Sequence, residues 1–185
     1  MRHGFKAQAE RRAGELRSSL GLHATDPLSP KAFLQSLGII VWAPHEIPGA
    51  SSDHLNQLLI QDPDSWSGIT VREGNLIAII VNSAHSEERQ ASTMMHEWAH
   101  IELRHKPNRV DRSEHGLFLL SDYPSDVEDE ADWLAAAVLL PREGLLRHRS
   151  RGMSSNEIAK HYAVSIDLTN WRLRMTGVDR QLRQR

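Results

Sequence analysis

The chain contains no cysteine. That excludes disulfides and thiolate metal ligands, so any bound metal must be held by histidine and carboxylate side chains. The same absence fits a cytoplasmic address. Long apolar runs are missing too. The longest, Trp133 to Pro141, has nine residues, about half of the 18 or so that a membrane-spanning helix requires. No membrane association is therefore expected. The N-terminal stretch is rich in Arg and Glu and has no apolar segment, so no secretory signal is expected either. Internal repeats and low-complexity segments are also absent.

What is present fits one domain, or one domain with an appendage, large enough to bury a core: 185 residues, 25% charged and 39% apolar. The net charge of −2 conceals an asymmetry. From Arg142 to Arg185 there are ten Lys/Arg against four Asp/Glu, while the rest of the chain has twelve against twenty. A basic end of this kind suits an acidic partner such as nucleic acid, although a solvated basic face is commoner.

The feature that organises the chain is Met94-Met95-His96-Glu97-Trp98-Ala99-His100, which carries the pattern His-Glu-x-x-His. On a helix, residues i and i+4 lie about 40° apart around the axis, so His96 and His100 point the same way. Both imidazoles can then reach a single zinc ion. Glu97 is turned roughly 100° from His96, beside the metal, where it can hold a water as general base. With 11 His and 13 Glu in the chain, about 0.04 matches are expected by chance. The context also supports a helix, with Ser86 as N-cap and Glu87 and Glu88 in the first turn.

The spacing predicts helices over 6–20 and 29–38, a first strand at 39–42, and a loop over 45–66 with one helical turn near His54 to Leu59. Strands 68–72 and 76–81 flank Glu73-Gly74-Asn75 and read as a hairpin. The second of them is apolar throughout, so it should lie inside the sheet. The pattern breaks down over 104–123, then a strong helix runs from Val127 to Leu140, capped by Ser125 or Asp126. Short helices at 142–149, 154–162 and 165–175 and a frayed basic tail finish the chain.

A catalytic zinc takes three protein ligands. A metzincin would need Gly at 103 and His at 106, where this chain has Leu103 and Lys106. His105 falls about 140° around the helix from His100 and reads better as a partner of the helix dipole. Glu128 is the favoured third ligand, with Glu130 as the lesser alternative. Glu128 and Asp132 share one helix face, so one carboxylate can bind the metal while Asp132 accepts the free N–H of a ligand histidine. Ala135-Ala136-Ala137 lets this helix come close to the first. Three acids at a helix N-terminus would also simply favour the dipole. Tyr123, His115 and Arg112, in the intervening segment, are candidate oxyanion stabilisers.

His96-Glu97-Trp98-Ala99-His100, followed by Glu128-x-x-Ala131-Asp132-x-x-Ala135-Ala136-x-x-Leu139-Leu140-Pro141, resembles the ImmA/IrrE metallopeptidases. Val81-Asn82 before the helix, and Val164-Ser165 with Trp171-Arg172-Leu173 near the end, are similar too. The family commonly has Met between Leu and Pro, where this chain has Leu140. The resemblance implies an α+β, zincin-like domain: a small sheet of about three strands, mixed or antiparallel, on an active-site helix pair, with helices at the C-terminal end. It implies a gluzincin-type zinc endopeptidase with His96, His100 and Glu128 as ligands, Glu97 as base and Asp132 behind a ligand. The implied substrate is a cognate helix-turn-helix repressor of a mobile element or stress response. The hairpin 68–81 could hold such a peptide by strand addition.

The expected organisation is a metallopeptidase domain over 1–141 and a basic helical extension over 142–185. Residues 157–173 have helix-turn-helix spacing, so DNA contact stands beside packing on the same domain. The alternative function is a non-proteolytic regulator that binds a repressor or DNA, with a structural or vestigial metal site.

Overall fold

The computed structural model describes residues 1–112 and 118–184. Helices α1 (Phe5–Ser19) and α2 (Pro30–Ser36) lead into β1 (Ile40–Trp42). A 3₁₀ turn at Pro44–Glu46 and α3 (Ser52–Asn56), which runs on into a π-type turn, fill the segment before the hairpin. The hairpin is β2 (Gly68–Glu73) and β3 (Leu76–Val81), with Gly74 at φ 55° in its turn. Then come α4 (Glu87–Glu102), β4 (Arg109–Arg112), β5 (Phe118–Ser121) and α5 (Ser125–Leu139). Helices α6 (Arg142–Ser150), α7 (Ser155–Tyr162), α8 (Ile166–Thr176) and α9 (Val178–Arg183) follow.

The fold is α+β with a mixed sheet, as expected. β3 is interior, parallel to β1 on one side and antiparallel to β2 on the other. The sheet is wider than three strands, because β5 pairs with β2 and β4 with β5, giving the order β1-β3-β2-β5-β4. The two added strands come from the stretch whose periodicity breaks down. β4 reads Arg-Val-Asp-Arg and its Val110 is 51% exposed, so an outer strand carries no apolar alternation to detect. Both hairpin strands are paired on both sides. Strand addition at the hairpin is therefore blocked, and the open edges among the described residues are β1 and β4.

Helix ends follow the sequence closely. Ser86, Ser154 and Ser165 each accept a backbone N–H at the start of α4, α7 and α8. α5 begins two residues before Val127, with Pro124 rather than Ser125 or Asp126 at the cap position, and the tail forms α9 with Val178 fully buried.

α5 runs through the centre. Ala131, Leu134, Ala137, Val138 and Leu140 are fully buried, and Ala99 on α4 is buried as well. The alanines among them let the two helices approach closely. α1 lays Phe5, Ala9 and Ala13 into the same core, and α6 to α8 add Leu145, Ile158, Tyr162 and Leu173. Each large aliphatic side chain so buried contributes roughly 1.5–3 kcal/mol.

The buried C-terminal end of α5 leaves carbonyls that need donors. Two buried arginines supply them. Arg17 Nη1 donates to Val138 O at 2.8 Å. Arg172, fully buried, donates to Leu140 O at 3.0 Å through Nη2 and to Glu10 at 2.8 Å. The charge on each lies where the helix dipole is negative.

Candidate metal centre

α4 presents His96 and His100 one turn apart, and α5 crosses it so that Glu128 faces both. One donor atom from each of the three lies within 4.8 Å of the others. His96 Nε2 is 3.0 Å from His100 Nε2 and 3.1 Å from Glu128 Oε2, and His100 Nε2 is 3.6 Å from Glu128 Oε1. Two ring nitrogens cannot face each other at 3.0 Å with bare lone pairs, so an electropositive centre belongs between them, a proton or a metal ion. Two imidazoles and a carboxylate, without sulfur, are a donor set that suits zinc, and the residues fit the ion.

The electrostatics agree. Burial opposes a charge on His96, but hydrogen bonds to Asp132 and Glu128 outweigh it and raise its pKa to about 10. His100, buried and next to that charge, is lowered. Contact with His96 holds Glu128 below the usual carboxylate range despite its partial burial. The cluster is thus built around one positive centre with a carboxylate beside it.

Behind His96, Nδ1 lies 2.8 Å from Asp132 Oδ1. A proton on Nδ1 donated to Asp132 leaves the Nε2 lone pair facing the cluster.

Glu97 is placed from the sheet side. Gly68 brings β2 hard against α4: a Cβ there would meet Thr93 Cγ2 at 2.5 Å. This approach carries Thr70, fully buried, to Glu97, and Thr70 Oγ1 donates to Glu97 Oε2 at 2.6 Å. Burial raises the Glu97 pKa, against the Thr70 bond. That is the direction a general base for an acidified water requires.

Tyr123 also joins the site, its ring stacked on His100 with centroids 3.8 Å apart and planes at 23°. Burial, then the charges of Glu97 and Glu128, push its pKa up to about 12, so its hydroxyl remains a donor. Glu130 does not join the donors; its carboxylate is taken by Arg2 at 2.7–3.0 Å. His115 and the Arg112 side chain lie outside the described residues.

Two residues at the site carry no sequence signal of their role. Thr70 is 27 positions from Glu97 and has no spacing rule to link it. His105 sits beside His100 rather than at a free helix end. The doubling back of the chain after Leu103, with Arg104 at φ 54°, is what turns it inward.

Residues 70–174 match the model of the IrrE N-terminal-like domain, the M78 peptidases. The chain belongs to the ImmA/IrrE family. The matched span begins at Thr70, contains every described side chain placed in the cluster, and ends past Arg172. No curated protein and no solved structure matches the chain. Membership makes this a metallopeptidase family site, in keeping with the converging donors. Among the described residues no helix is long and apolar enough to cross a membrane.

Proposed function

We propose that this ImmA/IrrE member is a zinc-dependent endopeptidase of the cytoplasm that cleaves a cognate regulatory protein, a helix-turn-helix repressor. The observation that carries the peptidase reading is the convergence of His96, His100 and Glu128 with Glu97 alongside, held by Thr70. His96 and His100 are assigned as ligands from α4 and Glu128 as the ligand from α5.

Zinc, when bound, supplies Lewis acidity that lowers the pKa of water towards about 7 and polarises a peptide carbonyl. Glu97 takes the proton of the attacking water and delivers it to the leaving amine. Thr70 keeps the Glu97 carboxylate aimed through that exchange. Tyr123, its hydroxyl protonated, donates to the oxygen on which negative charge develops. Asp132 holds His96 in the tautomer that leaves Nε2 as donor.

A regulatory protein as substrate is supported by family membership and by the basic C-terminal stretch, which would meet an acidic partner surface. DNA contact by α7 and α8 has less support. Ile158, Tyr162, Val164 and Leu173 are spent on the core, and Arg172 is sealed under Leu140 and Glu10.

Glu97→Gln tests the reading. The variant should retain about one zinc per chain, as Glu97 is not a ligand, and lose about 10²- to 10⁴-fold in cleavage of a purified candidate repressor. A variant that binds zinc and still produces the full biological effect would instead make the chain a non-proteolytic regulator.

A further inference from the structure

His105 follows the motif by five residues, and its side chain is 6% exposed. Its Nδ1 lies 3.0 Å from Nδ1 of His100, the nitrogen that faces away from the cluster. The two rings meet edge to face, with centroids 5.0 Å apart. On the far side, His105 Nε2 is buried, has no hydrogen-bond partner, and faces Glu130 Oε2 at 3.6 Å. Glu130 is 2% exposed, and its carboxylate accepts from the Arg2 backbone N–H at 2.7 Å and from Arg2 Nε at 3.0 Å. Burial pushes the Glu130 carboxyl up, but the Arg2 bonds prevail and hold it below the usual carboxylate range.

Proton positions follow from these contacts. If His100 offers its Nε2 lone pair to the cluster, its single proton sits on Nδ1 and must be accepted by His105 Nδ1. His105 then carries its own proton on Nε2, directed at the carboxylate that nitrogen faces, Glu130. The chain of contacts is consistent in one direction only, from the Glu130 carboxylate inward to His100 Nε2. His96 is held in the same sense by Asp132 directly, through a carboxylate 64% exposed. His100 is fully enclosed, and a histidine stands between it and its carboxylate.

We propose that His105 is a positioning residue for the metal centre: backed by Glu130 and Arg2, it accepts the Nδ1 proton of His100, and so fixes the tautomer and ring orientation in which His100 donates Nε2 to a divalent metal. This rests on the reading of His100 as a ligand. Partners behind a ligand histidine raise its basicity and lock its ring, and their loss typically costs metal affinity about 10- to 100-fold.

The test uses the full chain, once free of metal and once titrated with zinc against a chromophoric chelator. His105→Phe keeps an aromatic ring and removes the acceptor. His105→Gln restores an acceptor oxygen. The His100 tautomer is read from ¹H–¹⁵N histidine spectra of the metal-free proteins, and folding from thermal melts. In the parent, His100 should carry its proton on Nδ1. His105→Phe should lose that preference and bind zinc about 10- to 100-fold more weakly, and His105→Gln should recover most of both. The proposal is overturned if His105→Phe keeps the parent tautomer and affinity, or if His105→Gln recovers neither while folding as the parent does. Failure of the parent to bind zinc sinks the peptidase reading instead, and the tautomers of the metal-free proteins still decide the role of His105.

Discussion

The helical side of the site and its strand side are built to different standards. On the helical side the donors stand on α4 and α5, whose facing residues Met95, Ala99, Ala131 and Leu134 are fully buried. The C-terminal end of α5 is tied by Arg17 and Arg172. On the strand side, the segments that flank the hairpin expose Ile60 at 73% and Val110 at 51%. That side contributes Thr70 and Tyr123, which touch Glu97 and His100, but no metal donor. Side chains that could hold a metal need placement to a fraction of an ångström, and a close-packed helix pair provides it. A surface that receives a protein substrate gains from exposed backbone and adaptable loops.

The largest effect that would break this contrast is in the helix pair. Leu134→Ala removes a fully buried side chain and should cost about 2–5 kcal/mol in chemical denaturation, with zinc affinity falling as the α4–α5 spacing relaxes. A loss below 1 kcal/mol, on the order of a surface change, would mean that the pair is not the rigid half. Of intermediate size is Arg2→Gln, which strips the guanidinium donors from buried Glu130 and leaves the backbone N–H of residue 2. The folded-state pKa of Glu130 is depressed below 4.5, so its contribution is complete above about pH 4.5 and is lost as pH falls through the depressed value. The variant should be less stable than the parent by about 1 kcal/mol at pH 7, a low figure because the Arg2 side chain is 62% exposed. The difference should shrink as acid is added, and equal denaturation midpoints at pH 7 would remove Arg2 from the frame. Smallest is Val110→Ser on β4, expected to shift stability by no more than about 0.5 kcal/mol. A larger loss would show that the outer strand is part of the rigid frame.

Much of the helical side was legible in the chain. Ser86 as a cap, the i, i+4 histidines, and Glu128 paired with Asp132 all act through local geometry, where spacing translates directly into direction. The strand side was less so. β4 arises from a stretch without alternation, because an outer strand has little apolar surface to bury, and β5 is a four-residue, largely apolar run too short to show a period. Thr70 meets Glu97 only because Gly68 lets β2 press on α4. By spacing alone His105 reads as a partner of the helix dipole, a local role. It faces His100 because the chain reverses at Arg104 in a left-handed turn, which a helical wheel does not represent.

The contact of Glu10 with Arg172 spans 162 positions, and it has a consequence for the order of assembly. α1 leaves the ribosome early, but it packs along α5 and pairs its Glu10 with Arg172 on α8, so its contacts are complete only when almost the whole chain has emerged. Closing so long a loop is slow, and native contacts cannot reward it until both ends are present. A nascent chain that has passed residue 128 therefore carries both histidines and the glutamate but lacks the frame that fixes them. The cluster of His96, His100 and Glu128 is therefore framed late in folding, and a chain truncated before α8 has the motif without the full packing around it.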